Sequence, residues 1–499
     1  MCAATYERYF TRPRAAAAAV PPPPPPRSCR RVGDAVGVED IARVAPGVYL
    51  ATSDDRMALW EIDAQPVDAV PDGALYAIAV AEGAADAGDP VLTRLELRNF
   101  PRGVAFHPHG LFYDAAAREA YVINHAYARG GERVDVFGVE ARGRGLAVTY
   151  RRSVAPPSIA DQHSMLNDLV VTGPDELYAT QFLVVPMLPT GKAGFWGKLR
   201  HLKGFAIVGT NRRAAAIWRC TGIGPKMATV RTQSFMNGCG KDRRRRRGVL
   251  QEPARTSQNL PVPPPFKDET CRPSPRARTI VATDAEHCHK RLAAARQRAS
   301  RTRGTSQASR HERQITLGTP QCAPVAGSVK RAHFYDGIAA SPDGSRILAG
   351  DPLQTLNPPP PPFPAPFPAP PQSAVLVFDR DAATGALQYA ETVPLAVAPD
   401  NISTDHTSKT EAYMIGSIHA MDYLKVTLKA PHVAKTADLA GASGRGGATR
   451  LVRRADGSYA SELLHFTNQL PGVSCAVPVG TARVMSGSWY SNGVLICKV

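Results

Sequence analysis

Ser341-Pro342-Asp343-Gly344-Ser345-Arg346-Ile347-Leu348 reads as a tight turn that passes directly into a β-prone run. Proline presets one turn dihedral, aspartate bonds its own backbone, and glycine takes the conformation other residues avoid. The same order of turn and strand recurs in Ala45-Pro46-Gly47-Val48-Tyr49-Leu50 and in Gly173-Pro174-Asp175-Glu176-Leu177-Tyr178. Val134 to Phe137 and Ala374 to Phe378 read as further strands leading into turns, and few long segments have helical spacing. Short strands separated by such turns predict an all-β protein, and their recurrence favours radially repeated blades over a sandwich.

Composition needs dividing before it is used. The 499 residues carry 60 Lys and Arg against 43 Asp and Glu, with 45 prolines, which would fit a basic multidomain protein. Between 220 and 330, however, 22 basic residues face 7 acidic ones, an excess of 15 out of the 17 net positive charges. That stretch includes Arg243 to Arg247 and Pro263 to Pro265, and it has little apolar periodicity. It cannot bury enough apolar surface to offset its ordering entropy, so residues 220–328 are expected to be a disordered basic insert. Residues 1–28, with Ala15 to Ala19 and Pro21 to Pro26, and residues 353–372, with Pro358 to Pro362, are expected to be extended and solvated. The remaining ~340 residues, within 29–499, suffice for one large closed β domain.

No window approaches the roughly 18 apolar residues of a membrane span. Residues 15–20 are too few and too alanine-rich for a secretory h-region, although a truncated or misassigned N-terminus would look the same. Of nine cysteines, Cys29 and Cys497 bracket the folded part; they are either two unrelated thiols or a bridge tying its first and last strands. A bridge would favour an oxidising compartment, the secretory pathway or the exterior. The five arginines of the insert admit phosphate contacts, but aromatic interleaving for base stacking is missing and no specific nucleic acid partner is expected. Glu286-His287-Cys288-His289 has no paired Cys-x-x-Cys framework around it. The insert is either a tolerated surface insertion or coding sequence such as a retained intron.

Three oxygen-donor pairs stand beside apolar stretches: Glu39-Asp40, Asn167-Asp168 and Asp400-Asn401. Successive side chains on an extended chain point to opposite sides, so converging pairs could offer one member to each of two metal ions. Oxygen donors without cysteine favour calcium. Each pair alone is also a common turn dipeptide.

In order along the chain come Glu39-Asp40-Ile41, His107-Pro108-His109-Gly110, Val122-Ile123-Asn124-His125, Leu166-Asn167-Asp168 and Tyr335-Asp336-Gly337-Ile338. Asp400-Asn401-Ile402-Ser403, Gly416-Ser417-Ile418-His419 and Leu495-Ile496-Cys497 follow. This series resembles the paraoxonase family of arylesterases and lactonases over nearly all of the folded part. The resemblance implies a six-bladed β-propeller with two calcium ions in a central tunnel. It assigns a catalytic calcium to Glu39, Asn167, Asp336, Asp400 and Asn401, and a structural calcium to Asp40, Asp168 and the carbonyl of Leu111. It also implies the Cys29–Cys497 disulfide, and it gives His419 a substrate contact.

The expected activity is calcium-dependent hydrolysis of a small ester or lactone. The ion would polarise the carbonyl, His109 would be the general base, and His125 would orient it. Two departures matter. Asp336 replaces a family asparagine, adding a carboxylate that should tighten the metal and weaken it as an electrophile, and Gln181 to Pro189 departs in a pocket-shaping loop. The alternative is a propeller without this chemistry: a gluconolactonase-like or strictosidine-synthase-like enzyme, or a binding scaffold.

Overall fold

The computed structural model describes residues 28–56, 71–82, 88–127, 129–156, 158, 165–183, 215–224, 320–329, 331–332, 334–352, 373–419 and 444–499. The expectations for residues 1–27, most of the basic insert and 353–372 fall outside them, as do His333 and residues 184–189. The described chain is an all-β propeller of twenty-three strands.

In chain order, β1 (Cys29–Ala45), β2 (Val48–Ser53), β3 (Ala74–Ala79) and β4 (Val91–Arg94) begin the first sheet. β5 (Leu97–Arg98), β6 (Pro108–Asp114), β7 (Glu119–Ala126), β8 (Gly131–Arg142) and β9 (Gly145–Val154) form the second. The third contains β10 (Met165–Gly173), β11 (Glu176–Leu183), β12 (Ile217–Thr221) and β13 (Gln321–Pro324). The fourth contains β14 (Ile338–Ala340), β15 (Arg346–Asp351), β16 (Ser373–Arg380) and β17 (Leu387–Leu395). The fifth contains β18 (Ala398–Thr404), β19 (Ala412–Ile418), β20 (Gly446–Arg453) and β21 (Tyr459–Thr467). β22 (Val473–Val479) and β23 (Arg483–Lys498) then return to the first sheet, whose order is β22-β23-β1-β2-β3-β4.

Five sheets are therefore found where six blades were expected. The physical reason is β1. Its first half pairs with β23, from Cys29 opposite Cys497 to Val32 opposite Val494, and its second half pairs with β2, from Ile41 opposite Ala51 to Ala45 opposite Val48. The two ends of this sheet also pack on each other: Val38, Tyr49 and Ile78 share a core with Val477, Met485 and Ile496. The Cys29–Cys497 disulfide fastens the junction, with Cα atoms 4.1 Å apart. A cross-link between residues so far apart in sequence removes much of the unfolded chain's freedom.

The opening turn forms as its residues dictate. Asp343 Oδ1 accepts from the Ser345 amide and from the hydroxyls of Ser341 and Ser345, and the Ser341 hydroxyl accepts from the Arg346 amide. Beyond it, Ile347 and Leu348 are fully buried on the two faces of the fourth sheet, in different cores. Such cores lie between successive sheets, as where Leu50 and Leu75 meet Phe106, Val122 and Phe137. A Glu-x-Tyr repeat stands at the start of β7, β11 and β19: Glu119 and Tyr121, Glu176 and Tyr178, and Glu411, one residue before β19, with Tyr413. Each glutamate meets an arginine, Arg152, Arg380 and Arg453 respectively.

The basic insert begins later and ends earlier than its composition implied. Residues 217–221 and 321–324 are β12 and β13, and Cys220 is bonded to Cys322 directly across that ladder. Ends read as disordered thus belong to the third sheet. Among the described residues no helix is long and apolar enough to cross a membrane.

Candidate functional site

β1, β6, β10 and β18, one strand in each of four sheets, break register at corresponding places. The irregularities lie between Val38 and Ile41, Pro108 and Leu111, Leu166 and Leu169, and Pro399 and Ile402. The residues inside them are Glu39-Asp40, His109-Gly110, Asn167-Asp168 and Asp400-Asn401, the dipeptides singled out by sequence. A bulge re-aims side chains that a regular strand would send to its two faces. Asp336-Gly337 precedes β14 and completes the set.

Glycine follows His109 and Asp336 for a steric reason. A Cβ on Gly110 would lie 2.4 Å from the Asn167 carbonyl oxygen, and one on Gly337 would lie 2.3 Å from that of Asp400. Neighbouring strands approach too closely there for a side chain.

Two cavities divide the pairs. The smaller, about 20 Å³, is lined by Glu39, Asn167, Asp336, Asp400 and His109, with Met165, Phe182 and Trp489 as apolar wall. That space suits roughly one water molecule or one ion. The larger, about 380 Å³, has Asp40, Asp168 and Leu111 among its lining residues. In Glu39-Asp40 and Asn167-Asp168, consecutive residues therefore line different cavities. Asn401 lines neither; its amide donates to the Glu39 carbonyl at 2.9 Å.

Hydrogen bonding separates the two groups further. Asp40 accepts the amides of Ile41 and Leu111, each at 2.8 Å. Asp168 repeats this with the amides of Leu169 and Ile338, at 2.7 and 2.9 Å. Thr52 and Thr180 also correspond, accepting the amides of Asp40 and Asp168 and donating to the carbonyls of His109 and Asp336. By contrast Oδ1 of Asn167, Asp336, Asp400 and Asn401 is buried with no hydrogen-bond partner.

Charge follows. Burial, then Glu39, pushes the Asp336 carboxyl well above the ordinary range, and burial, then Asp336, does so for Asp400. Burial raises Asp40 to about 7 against its two amide bonds. Asp168 is raised by burial and then by the charge of Asp40. The orphaned oxygens and the all-oxygen donor set fit calcium at the smaller cavity. Asp40 and Asp168 keep a lone pair on each oxygen after their amide bonds, so they too have the chemistry for a cation.

Among the described residues, Arg56 is the cation beside these acids, and no motif had marked it. Buried to 2% exposure, it donates to Glu39 Oε2 at 2.9 Å, to the Pro108 carbonyl at 2.7 Å and to His109 Nδ1 at 3.2 Å. Burial opposes ionisation of Glu39, yet Arg56 and then His109 hold its carboxyl below the usual value. Burial and then Arg56 press His109 down to about 3, so its ring is neutral. His109 Nε2 lies 3.2 Å from Glu39 Oε1, while its Nδ1 lies 2.9 Å from His125 Nε2. The two rings meet edge to face.

The other histidines stand apart. His107 faces Asp54 at 3.3 Å and lies outside both cavities. His419, expected to touch substrate, follows β19 with its amide on the Arg445 carbonyl and does not line the smaller cavity. His406 lines the larger cavity, and burial lowers it to about 4.

No family model matches the chain, and no curated protein sequence does. Among solved structures it is similar to luciferin-regenerating enzyme, at 6% identity over 95% of each chain with a TM-score of 0.38. It is also similar to a gluconolactonase from Xanthomonas campestris, at 11% identity over 96% of this chain and 98% of that one, TM-score 0.31. A chain of the mitotic checkpoint complex matches at 9% identity over 98% and 96%, TM-score 0.35. Matches this distant, to proteins this different, assign no activity.

Proposed function

We propose that the protein is a calcium-dependent hydrolase of small carboxylic esters or lactones, with the smaller cavity as its active site. The observation that carries this reading is the group of three buried, unpaired side-chain oxygens that line the smaller cavity, on Asn167, Asp336 and Asp400, beside the neutral imidazole of His109. Leaving such groups unpaired costs about 1–3 kcal/mol each, a penalty a purely structural site has no reason to carry. Glu39, Asn167, Asp336, Asp400 and Asn401 would hold the catalytic ion, and Asp40, Asp168 and the Leu111 carbonyl a structural one. When bound, the catalytic ion supplies Lewis-acid polarisation of the substrate carbonyl.

The chain's own groups supply the rest. His109 Nε2 accepts the proton of the attacking water, and His125 shares it through Nδ1 of His109. Arg56 fixes Glu39, His109 and the Pro108 carbonyl in one geometry. Met165, Phe182 and Trp489 exclude bulk water.

Hydrolysis of phenyl acetate and of a panel of aliphatic lactones, with and without a calcium chelator, tests the proposal. Turnover abolished by chelation and restored by calcium supports it. Turnover indifferent to chelation, or none in folded calcium-loaded protein, rejects it.

A further inference from the structure

Behind the histidine pair lies a second carboxylate. Glu132, on β8, is completely buried. Its Oε2 is 2.7 Å from His125 Nδ1, and its Oε1 accepts the Leu166 amide at 2.7 Å. The Tyr127 hydroxyl bonds Glu132 as well, and burial together with that carboxylate holds the phenol well above its ordinary range. The Tyr127 ring stacks on His125 with centroids 5.7 Å apart and planes 10° from parallel. His125 is thus clamped on its face and at Nδ1, leaving Nε2 toward His109.

These contacts decide where a proton sits. A carboxylate oxygen facing Nδ1 at this distance keeps that nitrogen protonated, so exchange with His109 runs through the 2.9 Å contact of Nε2 with His109 Nδ1. With Nδ1 holding its proton, the Nε2 of a neutral His125 is an acceptor, so the proton between the rings rests on His109 Nδ1 and the His109 Nε2 lone pair is free for the cavity once the 3.2 Å contact of Arg56 Nε with His109 Nδ1 loosens.

We propose that Glu132 is a positioning residue, the terminal acceptor of a Glu132–His125–His109 relay. The kinetic consequence rests on the hydrolase reading; the proton placement does not. As an O–H bond of water breaks, an N–H bond forms at His109 Nε2. The Nδ1 proton of His109 passes to His125 Nε2, and hydroxide adds to the carbonyl carbon. The imidazolium so formed lies against Glu132, which remains a carboxylate, and the proton returns to the leaving alkoxide. Through Leu166 the same carboxylate ties the relay to the strand bearing Asn167 and Asp168.

The test uses the full chain with calcium, as wild type, Glu132→Gln and Glu132→Asp. Long-range proton–nitrogen NMR of labelled histidine should show His125 protonated at Nδ1 with a far-downfield N–H proton, identified by its loss in His125→Gln. Glu132→Gln should lose that signal and lower kcat for phenyl acetate at least about tenfold. KM should stay within about twofold, and Glu132→Asp should recover part of the loss. His125 protonated at Nε2 alone, or unchanged kcat in Glu132→Gln beside an active wild type, overturns the proposal. A wild type that does not turn over phenyl acetate or lactones defeats the hydrolase reading, and the NMR signal then decides the place of Glu132 by itself. Should Glu132→Gln not fold, the wild-type spectrum and Glu132→Asp decide.

Discussion

Asp40 and Asp168 are buried as deeply as Asp336 and Asp400, at 3% and 2% against 3% and 4% exposure, and all four carboxyls are raised by that burial. What differs is the partner of each oxygen. In the first pair every oxygen takes an amide, one of the two from the next sheet; in the second, Oδ1 of each takes nothing. One pair of acids is part of the fold's backbone hydrogen bonding, whereas the other bonds within itself and leaves one oxygen on each residue unpaired. On β1 and β10 the two kinds of residue are adjacent, Glu39 beside Asp40 and Asn167 beside Asp168, so one register break turns successive side chains toward different cavities.

The largest expected effect comes from the satisfied pair. Asp168→Ala would leave the amides of Leu169 and Ile338 buried and unpaired, at about 1–3 kcal/mol each, and should lower the urea-unfolding free energy by about 4 kcal/mol. The Asp400→Ala change removes an acceptor that no protein N–H uses. It should therefore shift chelator-treated stability by no more than about 1 kcal/mol, yet weaken calcium binding at least about a hundredfold, a loss of about 2.7 kcal/mol at the metal. Equal destabilisation of the two variants would erase the contrast.

Asp336→Asn sharpens it. Removing one of the crowded charges should lower calcium affinity about tenfold, or about 1.4 kcal/mol, by calorimetric titration. Unchanged affinity would mean that Asp336 is no ligand. The smallest effect is in pH. In the chelated protein Asp40 holds its proton to about 7, whereas the unfolded chain releases it near 3.8. The folded state binds more protons between those values, so this contribution is complete below the lower one and is lost as pH rises through the higher. Urea midpoints with chelator should fall between about pH 4 and about pH 7, and calcium should flatten that slope. A midpoint that rises would contradict the buried, cation-free pair.

Much of this was visible in sequence because turns and bulges are local. Ser341 to Leu348 forms the expected turn and strand, and the oxygen-donor pairs fall where β1, β10 and β18 break register. Other features depend on register between distant segments. That β1 serves two neighbours cannot be read from Cys29 to Ala45 alone, and the Cys220–Cys322 bond is hidden by the basic insert between its cysteines. Arg56 and Glu132 are ordinary charged residues in sequence. Only burial among partners from other strands gives them meaning, although a lone Glu before the strand-like Val134 to Phe137 run was a faint signal for Glu132.

Calcium titration of the chelated full-length protein by calorimetry is the most direct measurement. Two bound ions are predicted, one of them lost in Asp400→Ala while the fold is retained. An absence of binding, or binding that Asp400→Ala leaves untouched, would contradict the account.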